Sequence, residues 1–222
     1  MPFQNAPFSE TEYARRLAKT RAAMAASGLD AVFVTDPSNQ AWLTGYDGWS
    51  FYVHQGVLLT EDGAPLWWGR AMDALGAKRT CWMLDNSIHG YGDEFVQSTV
   101  RHPMQDFARL IRELGLEKAR IGVEMENYYY SAKAHEVLCE ELSEAVILDA
   151  TALLNWQRLV KSDEEIGFIR KAARISEKVI HTAIERAAPG VRKNELVADI
   201  YHAGITGVDE DWGDYPAIVP LT

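Results

Sequence analysis

The chain has 222 residues, 47% of them hydrophobic and 24% charged, which supplies a sizeable core and is long for one domain but short for two full ones. A net charge of −10 and a pI near 5.1, with no stripe of Lys and Arg, argue against a nucleic-acid partner. No apolar run approaches the ~20 residues that span a bilayer, and Met1-Pro-Phe-Gln-Asn5 lacks the basic and hydrophobic regions of a secretory signal, so no membrane association and a cytoplasmic location are expected.

In chain order, Ser9-Glu-Thr-Glu12 has the form of a capping box opening an Ala/Arg-rich helix that Gly28 closes. Ala31-Val-Phe-Val-Thr35 predicts a buried strand, and Asp36-Pro-Ser-Asn39 turns the chain into a short helix ending at Gly45. Gly56–Thr60 and Ala64–Trp68, joined by Glu61-Asp-Gly63, predict a hairpin. A helix over Arg70–Lys78, a strand around Cys81–Leu84 and a Gly-rich stretch from Gly90 to Gln97 follow. Pro103, a good first helical residue, starts a helix that runs to Leu114 and stops at Gly115. Strands at Arg120–Met125 and Ala145–Asp149 flank an amphipathic helix over Ser131–Leu142, and a short helix runs from Thr151 to Val160. Strands alternating with helices at this spacing predict an α/β domain with a mixed or parallel sheet, over residues 1–158.

From residue 159 the pattern changes. A second capping box, Ser162-Asp-Glu-Glu165, opens a long helix to Ala188, stopped by Pro189-Gly190. Another helix over Lys193–Ala203 and a strand-like Tyr215–Leu221 complete the chain. Two helices and one strand cannot bury their own apolar faces, so residues 159–222 read as the opening of an incomplete second domain.

The chemistry-bearing residues are sparse. Five of the eleven residues from Trp42 to Tyr52 are aromatic, against about one expected at the chain's 10% aromatic content. Gly45 and Gly48 break both helix and strand periods there. Such a loop suits recognition of a small, partly cationic molecule or a partner subunit, because ring faces attract cations; it equally suits a core-anchoring role. Of the six histidines, His54 abuts this loop and is a candidate ligand contact. His102 precedes Pro103, where helix capping explains it, and His135, His181 and His202 sit within predicted helices. Asp209, Glu210, Asp211 and Asp214 form an acidic loop, more often solvated than metal-binding. Cys81 and Cys139 have no CxxC or ligand-spaced His and read as reduced thiols. Neither a dinucleotide fingerprint nor a Gly-x-Ser-x-Gly elbow is present, and no catalytic centre can be assembled.

Val160-Lys-Ser-Asp-Glu-Glu-Ile166 with Ile169-Arg-Lys-Ala172, then Pro189-Gly190 with Glu195-Leu196, resemble the entry into the catalytic domain of the creatinase, prolidase and aminopeptidase P superfamily. Asp36-Pro-Ser-Asn39 followed by Trp42-Leu-Thr-Gly-Tyr46 is similar to the loop region of its N-terminal domain. Trp42–Gln55, Ile121–Tyr129, Asn155-Trp-Gln-Arg158 and Gly204–Asp209 with Gly213–Leu221 resemble the ectoine hydrolase branch. The resemblance implies a creatinase-type N-terminal domain with a mixed sheet flanked by helices, followed by the start of a pita-bread catalytic domain. It implies hydrolysis of a C–N bond in the ring of ectoine to N-acetyl-2,4-diaminobutyrate, by a homodimer in which the N-terminal domain of one subunit overhangs the active site of the other. It implies no metal and no cofactor, and catalytic residues beyond Thr222, so that the 222-residue chain alone is expected to be inactive.

Within that resemblance Trp49, Tyr52 and His54 are the expected substrate-binding residues, the rings facing the amidinium-like ring of ectoine. The arginine that holds the substrate carboxylate in creatinases falls near Val53 and is missing. Two other readings compete: a metal-dependent proline-specific peptidase of the same superfamily, and a non-catalytic ligand-binding or dimerisation module.

Overall fold

A computed structural model of the chain describes residues 3, 6–48, 50 and 52–213. The chain divides into two compact units, Met1–Leu159 and Val160–Thr222.

The first unit is built on a six-stranded mixed sheet in the order β4-β3-β2-β1-β5-β6. Its strands are β1 (Ala31–Val34), β2 (Gly56–Thr60), β3 (Leu66–Arg70), β4 (Ile88–Tyr91), β5 (Arg120–Val123) and β6 (Val146–Asp149). The β1–β2 and β2–β3 pairs are antiparallel, as the hairpin signal requires, whereas β3–β4, β1–β5 and β5–β6 are parallel and joined through helices. Side chains alternate across each strand, so Val32 and Val34 enter one core and Ala31 and Phe33 the other. The first core is closed by α1 (Glu10–Ala26), α2 (Pro37–Thr44), α3 (Ala71–Thr80) and α6 (Leu153–Arg158), through Leu17, Met24, Leu43, Ala77 and Leu154. The second is closed by α4 (Pro103–Glu113) and α5 (Ala132–Glu141), through Phe107, Ile111, Val137 and Leu138. Helices on both faces make this an α/β unit, as expected.

Ser9 caps α1 by accepting from the Glu12 amide, 3.2 Å. The Glu12 carboxylate is clasped by Arg15 and by Arg16, whose guanidinium also donates to the Trp42 carbonyl and lies 3.9 Å from the Phe8 ring centroid. Arg16 is 1% exposed; burial at this depth is tolerable because charge, carbonyl and ring are all supplied.

Two expectations need correction. The apolar run Cys81–Leu84 is not a strand; β4 lies further on, at Ile88–Tyr91, and its last two residues fall in the Gly-rich stretch. Cys81 and Met83 are buried and the Trp82 indole donates to the Leu43 carbonyl, 2.9 Å, so the run packs against α2 as an extended connection while Ile88–Tyr91 takes the ladder beside β3. The aromatic window is also not one surface. Trp42 and Tyr46 are 7% and 3% exposed, with the Tyr46 ring tilted against Trp67 at 5.1 Å and its hydroxyl donating to Gln55, so both belong to the core. Gly45 ends α2 at φ +77°, where only the absence of a Cβ lets the chain pass Tyr13 Oη and the Thr80 carbonyl.

The second unit holds α7 (Asp163–Arg186) and α8 (Lys193–Thr206), packed together. The Ser162–Glu165 capping box at the start of α7 is present in both directions, at 3.2 and 2.8 Å. Among the described residues no residue of α7 is buried, and Ile169, Ile180 and Ile184 remain 48–68% exposed. The acidic loop is not simply solvated. Asp211 pairs with Lys171 at 2.8 Å and Asp209 pairs with Arg174, while Val208 and Asp211 form a tight bridge. Asp214 and the strand expected at 215–221 lie outside the described residues. Among the described residues, no helix is long and apolar enough to cross a membrane.

Candidate functional site

Where the end of the aromatic loop meets the connection between β4 and α4, the first unit holds a cavity of about 250 Å³. Tyr52, Val53 and His54 line it from one side, and Gln97, Ser98, Arg101 and His102 from the other. The antiparallel start of β2 fixes the first group and the capped start of α4 the second. Of the three residues expected to bind substrate, the structure brings Tyr52 and His54 into this cavity; Trp49 lies outside the described residues. Tyr52 is 65% exposed, unlike the core rings Trp42 and Tyr46 of the same window.

His54 is held in place from several directions. Its carbonyl accepts from Tyr91 Oη at 2.8 Å, its ring bonds the backbone of Tyr129, and its centroid lies 4.8 Å from that of His102. Burial, then the neighbouring His102, lowers its pKa to about 4, against the opposing pull of the Tyr129 backbone, so near neutral pH the imidazole carries no charge. His102 caps α4 as expected. Its Nδ1 accepts from the Met104 amide at 3.2 Å and Gln105 reaches back to the His102 amide at 3.0 Å. Because Nδ1 accepts, the neutral ring carries its proton on Nε2. Burial and the nearby Lys133 lower the pKa of His102 too. The cavity therefore offers ring faces, two neutral imidazoles and one guanidinium. This suits binding and orientation of a small polar molecule rather than bond cleavage.

A second concave region, about 220 Å³, lies beyond the carboxyl ends of β1, β5 and β6, the position where open α/β sheets collect ligands. Its floor is a hydrogen-bonded network that sequence reading did not assemble. Glu124, 3% exposed, accepts from the amides of Thr35 and Asp36 at 2.7 Å each and from Asn39 Nδ2 at 2.6 Å. Asn39 also donates to Asn155 at 2.9 Å, and its Oδ1 accepts from Arg158 at 2.6 Å. Burial raises the pKa of Glu124 while these donors pull it back. With both carboxylate oxygens engaged, Glu124 braces the strand ends rather than offering an open lone pair. Its residues come from the Asp36–Asn39, Ile121–Tyr129 and Asn155–Arg158 segments, whose resemblance to family strings was the available signal.

Elsewhere the histidines are structural or exposed. His135 sits between Tyr130 Oη at 3.2 Å and Cys139 Sγ at 3.6 Å, and His181 and His202 face solvent. Among the described residues, no group of three His, Cys, Asp or Glu side chains is placed to hold a metal ion.

Residues 16–160 match the family model for the creatinase/prolidase N-terminal domain. The chain is 48% identical to the ectoine hydrolase of Halomonas elongata over 97% of its own length and 55% of that protein's. It is 40% identical to an uncharacterised hydrolase/peptidase of Sinorhizobium fredii over 96% of its length and 54% of that protein's. The chain thus spans about half the length of the curated relatives it matches. Among solved structures, the Xaa-Pro dipeptidase of Bacillus anthracis superposes with a TM-score of 0.67 at 17% identity, over 88% of this chain and 50% of that one; this likeness carries the fold alone. The sheet order, its two helical layers and the family match together establish that the chain belongs to the creatinase/prolidase family, with residues 16–160 as its N-terminal domain.

Proposed function

We propose that this chain is the N-terminal, ligand-facing part of an ectoine hydrolase, an enzyme that opens the cyclic amidine of ectoine at a C–N bond to give N-acetyl-2,4-diaminobutyrate. One observation carries the reading: the 48% identity to the Halomonas elongata ectoine hydrolase extends across 97% of the chain, the aromatic segment included. The peptidase reading has in its favour the 40% identity to an uncharacterised hydrolase/peptidase of Sinorhizobium fredii and the fold likeness to the dipeptidase, both at lower identity.

On this reading residues 1–158 are a lid domain and residues 159–222 the threshold of a pita-bread catalytic domain. The exposure of Ile169, Ile180 and Ile184 on α7 supports such a division, since a helix with those apolar positions is stabilised by a further layer. The catalytic groups lie beyond Thr222, so the 222-residue chain does not turn over ectoine. The working enzyme is a cytoplasmic homodimer. Trp49, Tyr52 and His54 bind the substrate: the rings face its delocalised cation, and a neutral His54 adds no repelling charge.

The test is direct. Full-length protein incubated with ectoine should release N-acetyl-2,4-diaminobutyrate, followed by proton NMR, and the 222-residue chain should not. Absence of product with the full-length protein refutes the reading.

A further inference from the structure

The aromatic loop is tied to both ends of α3. At the last residue of that helix, Thr80 Oγ1 accepts from the Asp47 amide at 3.2 Å. In its first turn, Asp73 Oδ1 accepts from the hydroxyl of Ser50, a residue 8% exposed. Between the two ties Gly48 lies over Tyr46, where a Cβ would run into the tyrosine hydroxyl. The platform beneath is fixed, because Ala74 and Ala77 of α3 belong to the first core. Ser50 also opens the turn that carries Tyr52, its carbonyl accepting from the Val53 amide at 3.3 Å. One residue thus joins α3 by its side chain and closes the turn by its backbone. Asp73 is otherwise unsatisfied: its Oδ2 is buried without a hydrogen-bond partner, and Arg70, three residues earlier, pairs with Asp93 at 2.6 Å. A buried carboxylate oxygen without a donor weakens a fold, so stability alone gives no account of this side chain. The bond to Ser50 does.

Resting on the functional reading above, in which Tyr52 binds substrate, we infer that Asp73 is a positioning residue: through Ser50 it sets the turn 50–53 and holds the Tyr52 ring at the cavity before a ligand arrives. A loop ordered in advance does not have to be ordered by the ligand, so affinity rises without any new contact to it. The contact uses an acceptor oxygen of Asp73 and not its charge. Asparagine, which keeps one acceptor, can therefore replace it, and alanine cannot.

Steady-state kinetics with ectoine on the full-length protein, together with amide hydrogen exchange over residues 47–55, reads both ends of this arrangement. Ser50→Ala and Asp73→Ala should each raise KM about fivefold, the worth of one hydrogen bond, with kcat changed less than about twofold. Asp73→Asn should bring KM back to within about twofold of the unsubstituted protein. With Tyr52→Ala already present, adding Ser50→Ala should move KM by less than about twofold, since the tie then has no ring to aim. Exchange at the Val53 amide should quicken about fivefold in Ser50→Ala and in Asp73→Ala. An unchanged KM in both alanine variants overturns the assignment. So does an equal loss in Asp73→Asn and Asp73→Ala, which makes the charge the working feature, or a Ser50→Ala effect that persists in full without Tyr52. If the unsubstituted protein shows no turnover of ectoine, the functional reading falls. The tie is then judged by exchange alone, and an unaltered Val53 amide overturns it.

Discussion

Replacing Glu124 by alanine tests the network beneath the carboxyl ends of the parallel strands. The carboxylate accepts at 2.7 Å from each of two backbone amides and at 2.6 Å from Asn39, in a site 3% exposed. Alanine removes the acceptor of both amides and of one Asn39 N–H, while the other Asn39 N–H keeps Asn155. Hydrogen bonds to a charged group contribute ~1.5–3 kcal/mol apiece, but relaxation recovers part, so the expected loss is ~3–5 kcal/mol. Against a domain stability of ~5–15 kcal/mol this is a large fraction. Glutamine keeps the shape and one acceptor oxygen, which can stay with the two amides. Its NH₂ then faces Asn39 Nδ2, and Asn39 cannot turn its oxygen inward without releasing Arg158. That single donor–donor conflict is expected to cost ~1–2 kcal/mol. Urea unfolding of the 222-residue chain, followed by tryptophan fluorescence, measures both; the two compact units make it necessary to fit the transition of the first unit separately. A loss below about 1 kcal/mol for Glu124→Ala, or equal losses for the two variants, would refute the idea that these bonds brace the sheet.

Further expectations concern acid, backbone and thiols. Burial raises the Glu12 pKa, but the hydrogen bonds and charges of Arg15 and Arg16 overcome it and hold the carboxyl at about 2, so its contribution is present above pH 4.5 and lost as pH falls toward 2; Glu12→Gln should flatten stability across that window. His54, lowered from 6.5 to about 4, favours the neutral ring in the fold, so its contribution is complete above pH 6.5 and declines as pH falls to 4; His54→Asn should remove that slope in pH-dependent thermal melts. Gly45→Ala should destabilise by ~1–3 kcal/mol in the same melts, since it combines a left-handed backbone with a Cβ 2.8 Å from Tyr13 Oη. Cys81 is buried with its thiol pushed up to about 12, so a chromogenic disulfide reagent should label Cys139 in the native protein and Cys81 only after denaturation.

The local signals in this sequence were strong wherever the physics was local. Capping residues Ser9 and Ser162, the first-turn Pro103, the terminating Gly45 and the hairpin around Gly63 each act within a few residues of themselves, and the structure places them as their chemistry dictates. His102 as a cap was legible for the same reason. The apolar run Cys81–Leu84 misled because burial and strand pairing leave the same mark on a sequence. Whether a segment enters a ladder depends on which edge is vacant, and that is decided by β3 and α3.

The sequence by itself thus determined most of the elements and the candidate residues of one loop. Only the tertiary structure decided which aromatics of that loop are core and which line a cavity, because the direction of each ring depends on contacts with β3 and on the turn at Gly45. The same holds for bringing Arg101 and His102 beside His54, and for joining Asn39, Glu124 and Arg158 into one network. These residues are tens to more than a hundred positions apart, and no local propensity couples them; the strand order of the sheet sets their distance.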